Sequence, residues 1–575
     1  MVSGNTFTAL KGKGNLLQAD DCEAVGQHGV SPPFVVLPQM KPFLRIPPFP
    51  GARVRHFLQS AHGKADGRVL ADKVREYRVG GTYWAAQPEL PAGYVLARST
   101  AAVEAAKAVF DGRVIICWNS DGVVPNPSET TPVIPGACDP WHMASSAAAV
   151  VVERPDDELR VIAALIGIPV YLCEAGRGDV VRDTREAGEL LDAAIGGSTF
   201  LNPFTGENIS AGEAVELCAF WRRLVDSNRD ISSGLGFAFW KQSHVAPLLW
   251  NGGHPIHFVR TATEAPHDGS IATWQSKVAP QDCKRLEQSG RCIIEVEDGF
   301  LRSRGLGADC IPPLSLTVDR LGAHFDPSRP SELERLIQYG TFDDELLTRA
   351  AELRRLIVAV GLGKYESGAA IIARPAGDRR HVLVPGQVED DRAVTAGGCG
   401  LTSNLELLKR VREQAPDSYI LYKPHPDVLA GHRRGAVPDR ICLDYADTIV
   451  GDQPIGSLIA MVDGVHVNTS LAGFEALLRG KEVTTYGVPF YAGWGLTRDF
   501  GAVPRRRTAR RTVDELVAAS LLSYPRYLDP VTGLPCPAEV VVARLCDDGQ
   551  RDPGLLVGVR RLQGKFMRRF RSLVQ

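Results

Sequence analysis

The stretch Glu297-Asp298-Gly299-Phe300-Leu301-Arg302-Ser303-Arg304-Gly305-Leu306-Gly307 sets two carboxylates beside two arginines, directly after the apolar run Cys292–Val296. A carboxylate can act as nucleophile or general base in glycosyl transfer. An arginine can grip a substrate carboxylate through two parallel hydrogen bonds. An isolated acid–arginine run is more often a solvent-facing turn; the three glycines and Phe300 weigh this one towards function. A second group is Tyr422-Lys423-Pro424-His425-Pro426-Asp427, after the run Tyr419–Tyr422. Its prolines keep His425 out of a helix. That leaves the ring to donate to a phosphate or carry a proton, with a purely structural histidine as an equal alternative. In Asn468-Thr469-Ser470-Leu471-Ala472-Gly473-Phe474-Glu475, Thr469 or Ser470 can cap a helix whose free N–H groups suit a phosphate. Glu475, one turn in, could meet a ribose diol; a plain capped helix with Glu475 as dipole partner is the simpler reading. Gly386 and Gln387, in Pro385-Gly386-Gln387-Val388-Glu389-Asp390-Asp391, follow the run His381–Val384. A glycine there allows a ligand close to the backbone, a weak signal by itself.

The elements that must position these groups alternate. β-rich runs occur at Arg113–Trp118, Cys292–Val296, His381–Val384, Tyr419–Tyr422, Gly464–Val467 and Glu482–Tyr486. Helical patterns occur at Ser331–Gln338, Asp343–Val358, Asn404–Gln414, Leu471–Arg479 and Thr512–Leu522. Strands alternating with helices over this length predict α/β layers with parallel sheets. Each acidic, histidine or serine group above then lies at the carboxyl end of a strand, where open parallel sheets bind ligands.

The chain has 575 residues, enough for about three or four domains. Lys plus Arg total 65 and Asp plus Glu 67, a formal charge of −2, which argues against a surface devoted to nucleic acid. With 44% hydrophobic and 23% charged residues, disorder is excluded as the main state. The first residues lack the order of a secretory signal, and no run of about 18 apolar residues suits a membrane span. The twelve cysteines form no CxxC pair and read as thiols of a reducing cytoplasm. No P-loop, strand-linked GxGxxG or HExxH motif is present.

Residues 32–50 hold seven prolines and read as an extended connector. Tyr527-Leu-Asp-Pro-Val-Thr-Gly533 is echoed by Phe200-Leu-Asn-Pro-Phe-Thr-Gly206. Upstream of each, a helix runs into a glycine and a strand, at Glu475–Val483 and Ala163–Val170. Two echoes in one order favour duplication over chance. At the C-terminus six basic residues within 560–571 share a stretch with Leu562, Phe566, Phe570 and Leu573 at helical spacing. Such a helix suits an anionic bilayer surface or docks on its own domain. The cluster Arg505, Arg506, Arg507, Arg510 and Arg511 suits anionic lipid or a solvated turn.

Residues 231–548 resemble the capsule polysaccharide biosynthesis family, the KpsC-type β-Kdo (3-deoxy-D-manno-oct-2-ulosonic acid) transferases. The resemblance rests on EDGFLRSRGLG (297–307), PPLSLTVDRLGAHFDPSRPSELERLI (312–337), LVPGQVEDD (383–391), ILYKPHPDVLAG (420–431), NTSLAGFEALLRGKEVTTYGVPFYAGWGLT (468–497) and YPRYLDPVTG (524–533). It implies an α/β, GT-B-type transferase with two Rossmann-like lobes, using CMP-Kdo with retention on a Kdo-primed phosphatidylglycerol-type lipid at the inner face of the cytoplasmic membrane. No Asp-x-Asp diad stands at a strand end, so no metal requirement is expected, and no cofactor beside the CMP-Kdo donor. Asp298 is the expected nucleophile and Glu297 its acid or base partner. Lys423, His425 and Pro426 would meet the CMP phosphate; Ser470, with Thr469, and Glu475 would hold phosphate and ribose; Gly386 and Gln387 would adjoin the donor. Arg302 is assigned to the Kdo carboxylate by charge.

Family members of this type often carry two complete modules. Here 57–230 has neither EDG nor HP and is expected to be a degenerate, silent, partial module. The expected organisation is a Pro-rich segment to 56, that region, an acceptor lobe at 231–380, a CMP-sugar lobe at 381–548 and the basic tail 549–575. The rival readings are a non-catalytic capsule assembly or export accessory, and a transferase for another nucleotide sugar.

Overall fold

The computed structural model describes residues 42–57, 66–119, 131–174, 179–196, 198–302, 311–362, 372–375, 377–451 and 453–546. The basic tail 549–575, Arg304 and most of the proline-rich segment lie outside them. The chain divides into two units. One runs to Ile231 and adds Leu249–Ile256 and Val531–Leu534; the other comprises Ser232–Leu248, His257–Pro530 and the chain from Pro535.

In the first unit six strands form a sheet: β1 (Tyr94–Ala97), β2 (Ile115–Asn119), β3 (Val133–Pro135), β4 (Ala147–Val152), β5 (Val170–Cys173) and β6 (Val180–Arg182), ordered β3-β2-β1-β4-β5-β6. All neighbours are parallel except β6. The unbroken apolar sequence of β4 follows from burial on both faces, and Val150 and Val151 are inaccessible. A hairpin, β7 (Phe200–Leu201) with β8 (Asn208–Ile209), leads into the helix Ala211–Asp226, started by a Ser210/Glu213 capping box. Residues 42–57 are no mere connector. They lack regular structure, but Phe43, Leu44, Ile46 and Phe49 are buried in this unit, with Phe49 edge-on to Trp221 and Trp250. Prolines prevented a helix there; the apolar residues between them still sought a core.

The second unit holds two sheets. One contains β9 (Ile231–Leu235), β10 (His257–Val259), β11 (Ser270–Thr273), β12 (Ile293–Asp298) and β13 (Ser315–Asp319), ordered β10-β9-β11-β12-β13 and extended by two strands from much later, β20 (Arg526–Leu528) and β21 (Pro535–Cys536). The other, in the C-lobe, contains β14 (His381–Pro385), β15 (Tyr419–Lys423), β16 (Thr448–Ile449), β17 (Gly464–Val467), β18 (Glu482–Thr485) and β19 (Arg498–Asp499), ordered β16-β15-β14-β17-β18-β19 and wholly parallel. This is the expected α/β fold with two Rossmann-like, GT-B-type lobes. The lobe boundary differs from the expected 381–548. β20 pairs antiparallel with β13, and Glu539 of the helix Ala538–Cys546 binds Arg349 at 2.8 Å, so the chain crosses back to the first lobe.

The internal echo has a structural counterpart. The sheet of the first unit and the C-lobe sheet share one order, third-second-first-fourth-fifth-sixth. In each, the helix after the fourth strand ends before a glycine with positive φ, Gly167 (81°) or Gly480 (69°), which a side chain would strain. Each copy of the L-[DN]-P-x-T-G turn forms a hairpin leading into a helix.

The arginine cluster at 505–511 turns partly inward. Arg507 is buried, binds Glu334 at 2.8 Å and donates to the carbonyls of Pro489 and Ala492 at 2.9 Å each. Arg506 also binds Glu334, and Arg511 donates to the Ile337 and Gly340 carbonyls. These three are structural struts, because each guanidinium fork meets acceptors that its own loop and the helix Glu332–Tyr339 leave open. Among the described residues no helix is long and apolar enough to cross a membrane.

Candidate active site

A cavity of about 820 Å³ lies in the second unit, where the strand ends of its two lobes face each other. Glu297, Asp298 and Arg302 line it from the first lobe; Gly386, Gln387, Lys423, His425, Pro426, Thr469, Ser470 and Glu475 line it from the other. The residues assigned above to catalysis, the donor and the substrate carboxylate, far apart in sequence, therefore border one opening.

Glu297 and Asp298 end β12. Asp298 is held by two cations: Lys241 Nζ lies 3.2 Å from Oδ1, and Arg302 Nε lies 2.8 Å from Oδ2. Lys241 comes from the helix Phe239–Leu249, and its ammonium sits 3.3 Å from the centre of the Trp274 ring. Burial pulls the Lys241 pKa down, while Asp298 opposes that shift. Glu297 differs. Burial pushes its pKa up to about 7, against the attraction of Arg392 and with a further push from Asp298. Two adjacent carboxylates thus have separate environments, Asp298 paired with Lys241 and Arg302 and Glu297 paired with Arg392 but pushed up by burial, a difference of the kind that can separate a nucleophile from a proton carrier.

Arg302 was expected to take a substrate carboxylate. It is 1% exposed, spends its Nε on Asp298 and donates to the Ile311 carbonyl at 2.9 Å, so here it orients the acid. Gly299 has no room for a side chain: an added Cβ would stand 2.2 Å from Ser315 Oγ and 2.7 Å from its Cβ. Gly299→Ala should therefore cost about 1–3 kcal/mol and displace the adjoining carboxylates. A lower unfolding midpoint together with weaker catalysis checks this; unchanged stability contradicts it.

On the C-lobe, Ser470 caps the helix Leu471–Leu478, its Oγ accepting from the Ala472 N–H, with Glu475 buried one turn on. Thr469 and Gln387 exchange hydrogen bonds: Gln387 Nε2 donates to Thr469 Oγ1, and the Thr469 N–H donates to Gln387 Oε1, both at 2.9 Å. Gln387 thus ties the loops after β14 and β17 together. Gly386 was expected to admit a ligand; the close neighbour is the Tyr422 hydroxyl, 2.7 Å from where a Cβ would be. Lys423 is buried and donates to the Gly451 carbonyl at 2.9 Å. His425 stays extended, as its prolines demanded. Its ring is less independent than expected, because Nδ1 accepts from the Asp427 N–H at 3.1 Å and caps the helix Pro426–Leu429. Phe300, beside the acids, stacks on Phe490 of the C-lobe at 4.5 Å between ring centres.

Two functional residues escaped the sequence reading. Lys241 lies in an unremarked apolar stretch. Arg392 stands one residue beyond the LVPGQVEDD motif, where a basic side chain at a helix start gives no local signal. Among the described residues no group of three His, Cys, Asp or Glu side chains is placed to hold a metal.

The first unit contrasts with this. The loop after its fourth strand, in the place of Asn468-Thr469-Ser470, is Glu153-Arg154-Pro155-Asp156-Asp157, and Asp157 caps the following helix. Arg98 binds Asp157 at 3.1 Å and Ser99 donates to Glu153 at 2.7 Å. Carboxylates at that helix start repel the phosphate a donor would bring.

A family model described as "Capsule polysaccharide biosynthesis protein" matches residues 270–371 and 366–527. A solved structure, the beta Kdo 2,7 transferase of Thermosulfurimonas dismutans KpsC, is 33% identical over 98% of its own chain and 55% of this one, with a TM-score of 0.45. The matched part of the chain, residues 270–527, is similar to the capsule polysaccharide biosynthesis family. The capsule polysaccharide modification protein LipA of Neisseria meningitidis serogroup B is 37% identical over 61% of this chain and 50% of its own. The lipopolysaccharide-processing protein LpsZ of Rhizobium meliloti is 47% identical over 41% of this chain and 54% of its own. The chain spans about half the length of the curated relatives it matches. The family match takes in the C-lobe sheet, the first lobe from β11 onward, and Asp298, His425 and Ser470.

Proposed function

We propose that the protein is a glycosyltransferase of capsule biosynthesis that moves Kdo from CMP-Kdo, with retention, onto a Kdo-primed phosphatidylglycerol-type lipid. The observation that carries this reading is Asp298, fixed between Lys241 and Arg302 in a cavity shared with Lys423, His425 and the Ser470 helix start. In the first step an Asp298 oxygen attacks the anomeric carbon. The bond to the CMP phosphate breaks, its electron pair leaves with CMP, and Lys423 with the helix N–H groups receives the phosphate charge. In the second step the acceptor hydroxyl oxygen attacks that carbon, the bond to Asp298 breaks to restore its carboxylate, and the hydroxyl proton passes to Glu297. Two displacements retain configuration. The two cations hold the Asp298 carboxylate in place and stabilise the negative charge it regains on departure. In this reading the first unit is catalytically silent, and the acidic cap at Asp157 supports that.

Purified protein given CMP-Kdo and a synthetic Kdo-primed lipid should release CMP and lengthen the acceptor by one Kdo. Binding of CMP without turnover on several acceptors would mark a non-catalytic assembly or export accessory. Preference for UDP or GDP over CMP would mark another nucleotide-sugar donor.

A further inference from the structure

Arg392 begins a C-lobe helix, Arg392–Gly397, yet its bonds lie across the cleft. Nη1 donates to Glu297 Oε1 at 2.7 Å, while Nη2 reaches Glu295 at 3.2 Å and also bonds Gln275. Its guanidinium lies 4.9 Å from the centre of the Phe325 ring, on the first-lobe wall of the cavity. The lobes meet elsewhere through structural contacts, but this one lands on a carboxylate of the site. The charged groups around Glu297 are Asp298 and Glu295 on its own strand, Lys241 from the helix Phe239–Leu249, and Arg392. Lys241 is engaged by Asp298, and Glu295 also binds Arg329. Arg392 is thus the cation bonded to Glu297, and the C-lobe brings it.

We infer that Arg392 is a positioning residue: it orients Glu297 and favours its ionised form only while the lobes are together, so that the donor-bearing lobe sets the base for the acceptor. The role of Glu297 as base rests on the transferase reading above; the effect of Arg392 on its carboxyl does not. Without Arg392, burial and the two neighbouring acids act on Glu297 with less opposition, so its protonated form gains and its midpoint rises.

The test follows the Glu297 carboxyl directly, by carbon-13 NMR of the full-length, labelled protein, with Glu297→Gln to assign the signal. In Arg392→Gln the midpoint should rise by about one to two pH units, as expected for losing an opposite charge within hydrogen-bond reach. In Arg392→Lys it should stay near that of the parent. Transfer from CMP-Kdo should rise with pH through the Glu297 midpoint, and that rise should move upward by the same interval in Arg392→Gln. If Arg392→Gln does not fold, Arg392→Met, which keeps an apolar contact on Phe325, replaces it. An unmoved midpoint in a folded variant overturns the inference. If the unaltered protein transfers no Kdo, the transferase reading fails, and the titration alone still decides what Arg392 does.

Discussion

Asp298→Asn should lower Kdo transfer by about four orders of magnitude, on the scale seen when an enzymic nucleophile is removed. The amide keeps the shape of the side chain but cannot supply the attacking anion. The effect should fall on turnover rather than on donor affinity, because the residues proposed to meet the nucleotide phosphate stand at the end of β15, just after it, and between β17 and the helix Leu471–Leu478. CMP should bind the variant within a fewfold of the parent. Mass spectrometry adds an independent reading: rapid quenching with CMP-Kdo should leave one Kdo on the parent chain at Asp298 and none on the variant. Transfer within tenfold of the parent, in a protein with an unchanged melting curve, would remove Asp298 from the chemistry.

The second large effect concerns stability. Glu334 is buried and binds both Arg506 and Arg507, of which Arg507 is itself almost inaccessible. Glu334→Ala leaves the Arg507 guanidinium in the interior without its carboxylate. Breaking a buried pair from one side costs about 3–5 kcal/mol. The expected result is a fall of that size in unfolding free energy from denaturant titration. The loss should also reach the site. Arg507 donates to Pro489 and Ala492, which flank Phe490, the ring stacked on Phe300 beside the acids. Reduced transfer is therefore expected even at temperatures where the variant remains folded. An unchanged denaturation midpoint would show that Arg507 finds other partners.

What the sequence determined by itself is local. Alternation of apolar runs with helical patterns predicted six strands, and all six form, with ends moved by at most two residues. Proline on both sides kept His425 extended, and a serine before an apolar run capped the helix that carries Glu475. These outcomes depend on neighbours in the chain, so pattern and residue type suffice. The echo of a turn and a helix stop pointed to a duplication, whereas the strand order that the two sheets share is seen only in the structure.

Tertiary structure decided which charged groups meet. Arg302 could have faced a substrate or Asp298, and the arginines at 505–511 could have faced lipid or Glu334; composition treats these alike. Lys241 and Arg392 reach the acids from sequence distances of 57 and 95 residues. The helix Thr512–Leu522 was expected whole. Instead an α-helix ends at Val517 and a wider π-turn follows to Ser523, which sets the Tyr524 hydroxyl 2.9 Å from Asp319 on β13. The return of β20 and β21 to the first lobe was equally invisible, since an edge strand pairs with whichever neighbour the packed sheets present. Long, flexible charged side chains carry no periodic signal of their own. Their partners are set when burial makes an unpaired charge costly, and that cost exists only once the lobes have come together.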